Sequence, residues 1–158
     1  MLLRRAMIFD AAAVARVFLS SRKTFLPYAP MGHTDEEVCT WIEQSLLPAG
    51  QVTVAEMAGE IVGFVATTEA DDHLWIDQLY VGPAFTGRGV GAALLRHAMT
   101  GASRPIRLHT FQANNGARRF YERFGFAPVA FTDGSTNEEK CPDVLYEIHV
   151  SAGPDVQR

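Results

Sequence analysis

Cysteine is scarce: the 158 residues hold two, Cys39 and Cys141. Two thiols build no disulfide scaffold, and their spacing matches no metal site. They fit a reducing cytoplasm. Long apolar runs are missing too, and none approaches the length of a membrane span. The start, Met1-Leu2-Leu3-Arg4-Arg5, places its charges behind its first apolar residues, and Asp10 interrupts the next apolar run. That is a poor signal peptide, so the expectation is a soluble, cytoplasmic chain without a membrane partner. A basic surplus is also absent. The formal charge of −4 argues against a general nucleic-acid binder. What is present suffices for a core: 47% of residues are hydrophobic and 20% charged in 17.4 kDa, the size of one ordinary domain.

Leu2 to Arg5 reads as a short first strand. Asp10 stands where an N-cap would open a helix over Ala11 to Ser21, with Val14, Val17 and Phe18 on one face. Phe25 to Pro30 breaks that helix as an aromatic loop. Thr34-Asp35-Glu36-Glu37 is a capping box for a second helix to about Leu46. Gln51 to Glu56 and Glu60 to Thr68 flank Met57-Ala58-Gly59 as a hairpin. The next run, His73 to Val81, sets Leu74, Ile76, Gln78 and Tyr80 against Trp75, Asp77, Leu79 and Val81. A helix from Gly89 to about Thr100, a strand over Ile106 to Thr110, and a helix from Asn114 or Asn115 to Phe124 come next. Strands over Ala127 to Phe131 and Val144 to Val150 close the pattern. The tail from Ser151 is expected to fray. The pattern predicts one α/β (α+β) domain over residues 1–150, a mixed sheet flanked by helices.

Tyr80-Val81-Gly82-Pro83-Ala84-Phe85-Thr86-Gly87-Arg88-Gly89-Val90-Gly91 is the most informative stretch. Alternate glycines between a strand and a helix let the backbone approach a ligand and leave N–H groups free to face an anion. Pyrophosphate suits such a nest, while a plain tight turn is the alternative. Gly87-x-Gly89-x-x-Ala92 satisfies a loose dinucleotide fingerprint, but that reading needs a carboxylate about 20 residues on. Ile106 to Gln112 contains none, and the Gly-Lys-Ser/Thr ending of a P-loop is absent. A nicotinamide-dependent oxidoreductase is thereby disfavoured.

The second signal is Asn114-x-x-Ala117-x-x-Phe120-Tyr121-x-x-x-Gly125-Phe126, in which Ala117, Phe120, Tyr121 and Phe124 share one helical face. Taken alone, helical spacing favours reading Tyr121 as a core aromatic with a polar tip. Together and in this order, the two segments resemble the GCN5-related N-acetyltransferase (GNAT) family over about residues 74–131. The resemblance implies a mostly antiparallel central sheet and acetyl-CoA as acyl-donor cosubstrate, with no metal. The expected cofactor contacts are Leu79, Tyr80, Val81, Thr86, Gly87, Arg88, Gly89, Val90, Gly91, Asn114, Ala117, Phe120 and Tyr121. Thr86 stands where relatives usually carry Arg or Gln, which weakens the side-chain share of that contact. Arg88 could replace the charge or face solvent.

The resemblance further implies direct transfer of an acyl group to an amine in a ternary complex. A backbone N–H near Val81, where two central strands splay, would polarise the thioester. Tyr121 matches the family's proton donor to the departing thiolate. A thiol has a reference pKa of about 8.5, so that contribution should be modest. Asp77 is the candidate base, and a structural carboxylate is its equal alternative. A non-catalytic acyl-CoA-binding or regulatory module on the same fold remains the competing class.

The acceptor, a small-molecule or peptide amine, should meet Tyr28, His33, Trp41, Glu138 and Glu139. His33 lies in a loop where solvation is the ordinary fate of a histidine. Thr132 to Asp143 is long for a connection without structure, and its carboxylates suit a cationic amine. A homodimer is compatible with the resemblance. Charge is split along the chain: Thr86 to Phe126 carries +6 and the remainder −10. The basic part coincides with the segments assigned to polyanionic CoA.

Overall fold

The computed structural model describes residues 1–150; the tail expected to fray from Ser151 lies outside them. In chain order the elements are β1 (Leu2–Arg5), α1 (Ala11–Phe25), α2 (Asp35–Trp41), β2 (Val52–Met57), β3 (Glu60–Ala70), β4 (His73–Val81), α3 (Val90–Met99), β5 (Ile106–Phe111), α4 (Asn115–Arg123), β6 (Ala127–Thr132) and β7 (Asp143–Ile148). The strands form one seven-stranded sheet in the order β1-β2-β3-β4-β5-β7-β6. Every neighbouring pair is antiparallel except β4 with β5. The parallel pair needs a crossover, and α3 supplies it.

Each face of the sheet buries its own core. On one side, Val90, Leu94 and Leu95 of α3 and Tyr121 of α4 pack on Val62, Val65, Ile76, Ile106 and Leu108. On the other, Val14, Val17 and Phe18 of α1, Val38 of α2 and Ile42 pack on Val54, Phe64 and Ala66. Period-2 strands with both faces covered account for the near-continuous apolar run from Ile61 to Ala66.

Thr34 caps α2 as expected: its hydroxyl accepts the Glu37 N–H at 3.1 Å, and the Glu37 carboxylate accepts the Thr34 N–H at 3.2 Å. The helix then loosens into a π-turn over Ile42–Leu46. Asp10 does something else. Its side chain does not cap α1. It accepts the Met7 N–H at 2.7 Å and both Arg4 Nη groups at 2.8 and 2.9 Å. The Arg4 guanidinium holds this buried carboxyl below its ordinary range. α1 also runs one turn past Ser21 to Phe25, because Arg22 is buried and bonded rather than solvated.

The strict alternation expected along β4 does not hold. Gln78 pairs with Ala66 and Ile76 with Thr67, so Asp77 has no partner on β3. It is the extra residue of a β-bulge, and every side chain beyond it changes face. Ile76, Leu79 and Val81 therefore share the α3/α4 core, while Tyr80 joins the α1/α2 core.

Candidate active site

The bulge coincides with a parting of strands. β4 and β5 pair only at Leu74, Trp75 and Ile76, opposite Ile106, Arg107 and Leu108. Beyond Ile76, β4 stays with β3, and β5 continues along β7 to Phe111. The backbone groups in the gap are set by antiparallel alternation. Gly82 N–H donates to Val62 C=O at 2.8 Å, which makes Tyr80 the next bonded position. The N–H groups of Leu79 and Val81 consequently face the gap. An N–H near Val81 was the expected thioester donor, and the geometry leaves it free of the ladder.

A groove of about 790 Å³ opens at this end of the sheet, a size suited to a cofactor. Leu79, Tyr80 and Val81 line it from β4, and Thr86, Gly87 and Gly89 from the turn. Val90 and Gly91 enter from α3, while Asn114, Ala117, Phe120 and Tyr121 enter from the cap and body of α4. Gly87 and Gly89 adopt φ of 77° and 81°, a region that favours glycine. Beyond the adjacent residues, no heavy atom lies within 4 Å of where a Cβ would stand on either. The cradle is open, and the first N–H groups of α3 begin at Gly89, its N-cap. These residues fit a pyrophosphate.

Side chains add little to that cradle. Thr86 spends its hydroxyl on Pro83 C=O at 3.1 Å, closing the turn. Arg88 lies over the Phe85 ring at 5.5 Å and does not line the groove. Of the seven arginines in this part of the chain, Arg123 reaches the groove lining. Arg107 pairs with Glu147 at 2.5 Å, Arg96 covers Phe124, and Arg118 donates to the Tyr146 hydroxyl at 3.0 Å. Asn114 Oδ1 accepts the Ala117 N–H at 3.2 Å and so caps α4.

Tyr121 is 8% exposed, with its ring against Phe120, Phe126 and Tyr146. Burial pushes its phenol well above the ordinary value, which keeps the proton on oxygen. Tyr121 lines both the groove and a smaller cavity of about 120 Å³ in the gap between β4 and β5. Asp77 lines that same cavity. Its carboxylate accepts a hydrogen bond from the Thr68 hydroxyl, and desolvation nonetheless raises its pKa. The two residues expected to handle protons thus share one small chamber.

A separate pocket of about 740 Å³ lies between α1, α2 and the loop from Asp133 to Pro142. His33, Trp41, Glu138 and Glu139 line it, in the company of Glu36 and Glu37. Tyr28 does not. It lines the groove of about 790 Å³, its ring edge-on to Phe111 at 6.3 Å. Three of the acids are already engaged: His33 Nε2 pairs with Glu138, His33 Nδ1 with Glu37 at 3.4 Å, and Arg22 with Glu139 at 3.4 Å. The Glu37 hydrogen bond and Glu138 raise the His33 pKa. Arg22 was not singled out from the sequence. Its buried guanidinium also donates to the Tyr80 hydroxyl at 3.0 Å and to Ala29 C=O at 3.1 Å, tying the pocket wall to β4. A lone arginine on a helix carries no mark of such burial.

The profile of the Acetyltransferase (GNAT) family matches residues 18–126. The chain belongs to this family. An uncharacterized N-acetyltransferase of Escherichia coli K12, YafP, is 32% identical over 107 residues, covering 64% of this chain and 66% of YafP. Among solved structures, an N-acetyltransferase from Staphylococcus aureus Mu50 superposes with a TM-score of 0.77 at 14% identity, over 94% of this chain and 100% of that one. The PaiA N-acetyltransferase from Thermoplasma acidophilum, solved in complex with coenzyme A, superposes with a TM-score of 0.73 at 18% identity, over 94% and 98%. The GNAT fold, with its mostly antiparallel sheet, is therefore the fold of this chain, as the two sequence segments implied.

Proposed function

We propose that this GNAT chain transfers an acetyl group from acetyl-CoA to a primary amine, which attacks directly while both substrates are bound. One observation carries the reading: the cavity in the gap of the sheet, lined by Tyr121 and Asp77, shares Tyr121 with the cofactor-sized groove and Gln78 with the acid-lined pocket. The coenzyme A bound to the PaiA protein supports the choice of donor. When bound, acetyl-CoA supplies a thioester whose carbonyl is the electrophile. The open cradle at Gly87 and Gly89 would hold its pyrophosphate on backbone N–H groups. The Val81 N–H, unbonded within the ladder, would bear on the thioester oxygen. Asp77 would take the proton that the amine must lose, and its raised pKa makes it the better base. Tyr121, kept protonated by burial, would give its proton to the departing sulfur.

The test is thiol release from acetyl-CoA across a panel of n-butylamine, 1,4-diaminobutane, lysine amide and a lysine-containing tetrapeptide, with Tyr121→Phe alongside. Amine-dependent release that falls in the variant is expected. Acetyl-CoA binding without release by any amine would instead make the chain an acyl-CoA-binding module.

A further inference from the structure

Gln78 is the one residue, among those described, that lines both the acid-lined pocket and the cavity in the gap. The bulge at Asp77 puts it there. In an unbulged strand Gln78 would share the face of Ile76 and point into the α3/α4 core. Instead it pairs with Ala66, which belongs to the α1/α2 core, and lies half-buried against the pocket. The hydrogen bonds at this end of the pocket run from Arg22 to Tyr80, Ala29 and Glu139, and do not include its amide.

A neutral amide suits that position for a physical reason. An attacking amine must aim its lone pair at the thioester, so its N–H bonds must point elsewhere. An oxygen that accepts one of them fixes the direction of the lone pair. A carboxylate would do the same but would also stabilise the ammonium form, which cannot attack. Glutamine accepts without that cost, because its carbonyl oxygen carries no formal charge.

Resting on the acyltransferase reading above, we infer that Gln78 is the acceptor-orienting residue. Its Oε1 accepts an N–H of the incoming amine between the pocket and the gap, whose linings Gln78 shares, turning the nitrogen lone pair toward the groove. The proton lost by the amine goes to the Asp77 carboxylate, and Gln78 takes none. Two variants test this in the full chain with the same amines. Gln78→Met keeps the length and removes the oxygen. It should lower kcat/KM for the amine by roughly ten- to a hundredfold, the worth of one hydrogen bond to such a group. The KM for acetyl-CoA should stay within about twofold. Gln78→Glu restores an accepting oxygen. It should recover the amine KM while shifting the acid limb of the pH profile upward, since a second carboxylate beside Asp77 raises its pKa. A merely structural glutamine would not produce that split. A Gln78→Met enzyme within about twofold of wild type in amine kcat/KM overturns the assignment and leaves acyl transfer standing. A wild-type chain that binds acetyl-CoA yet releases no thiol with any amine overturns both.

Discussion

The cofactor-sized groove and the acid-lined pocket are built by opposite means. The groove is a backbone site: glycines at positive φ, a helix N-terminus and two N–H groups that the splay of β4 from β5 sets free. Even the residues with side chains to offer spend them locally, Thr86 on Pro83 C=O and Asn114 on the Ala117 N–H. The pocket is a side-chain site. It gathers Arg22, His33, Trp41, Gln78, Glu138 and Glu139 from separate segments, and most of its charges are already paired within the chain. A backbone site requires particular residues at particular spacings, so it leaves a pattern in the sequence. A side-chain site requires only that distant residues meet, and no local pattern records that meeting.

The sharpest way to probe this contrast is at the chamber between the two. Tyr121→Phe should lower kcat by about a hundredfold, the lower end for a lost general acid because the leaving thiolate is already fairly stable. The change is read as kcat at saturating amine and acetyl-CoA. Asp77→Asn should cost about tenfold or more near pH 7. The deficit should shrink as pH approaches about 10, where a lysine-like amine sheds its own proton. A deficit that stays constant with pH would make Asp77 a structural carboxylate.

The donor side alone is addressed by Gly89→Val. Its φ of 81° is strained for a β-branched residue, and the new side chain fills the open cradle. Acetyl-CoA should bind about tenfold more weakly by calorimetry. The acid-lined pocket, read by hydrogen exchange of residues 133–142, should be unmoved. The acceptor side is addressed by pH. His33 has a raised pKa in the fold, so its pairing with Glu37 and Glu138 is complete below its unfolded value and is lost as pH rises through the folded one. Exchange in residues 133–142 should therefore quicken modestly as the pH climbs through that range, and His33→Gln should abolish the dependence. High salt should blunt the effect, because both partners are exposed.

The features legible in the sequence fall along the same division. Strand β4 was expected over His73 to Val81 and is found there, as are a helix from about Gly89 and a cap at Asn114 or Asn115, which the structure places on Asn114. The residues assigned to the cofactor, Arg88 apart, line the groove. The bulge was not legible. Alternation counts residues in twos, and one inserted residue in a run with mixed faces looks like more strand. The face of Gln78 was lost with it. The fates of Asp10 and Arg22 were hidden for a related reason: each is decided by a partner far along the chain or on another element, Arg4 for one and Tyr80 with Glu139 for the other. Tyr28 was assigned to the acceptor on loop position alone. The turn after α1, closed by the Ala29 N–H on Leu26 C=O, carries it to the groove instead.

The bulge at Asp77 has a bearing on how such a site changes over generations. A bulge is a matter of counting rather than of chemistry. Exchanging the side chain of Asp77 leaves the number of residues between Ile76 and Gln78 unchanged, so the strand still reverses its faces there. Deleting that single residue would restore plain alternation from Ile76 to Gln78, removing the bulge and its carboxylate while Leu79 and Val81 stay on the α3/α4 side and Gln78 and Tyr80 on the other. Point mutation can therefore vary the chemistry of this chamber with the bulge in place, whereas a one-residue deletion removes the bulge and its carboxylate together.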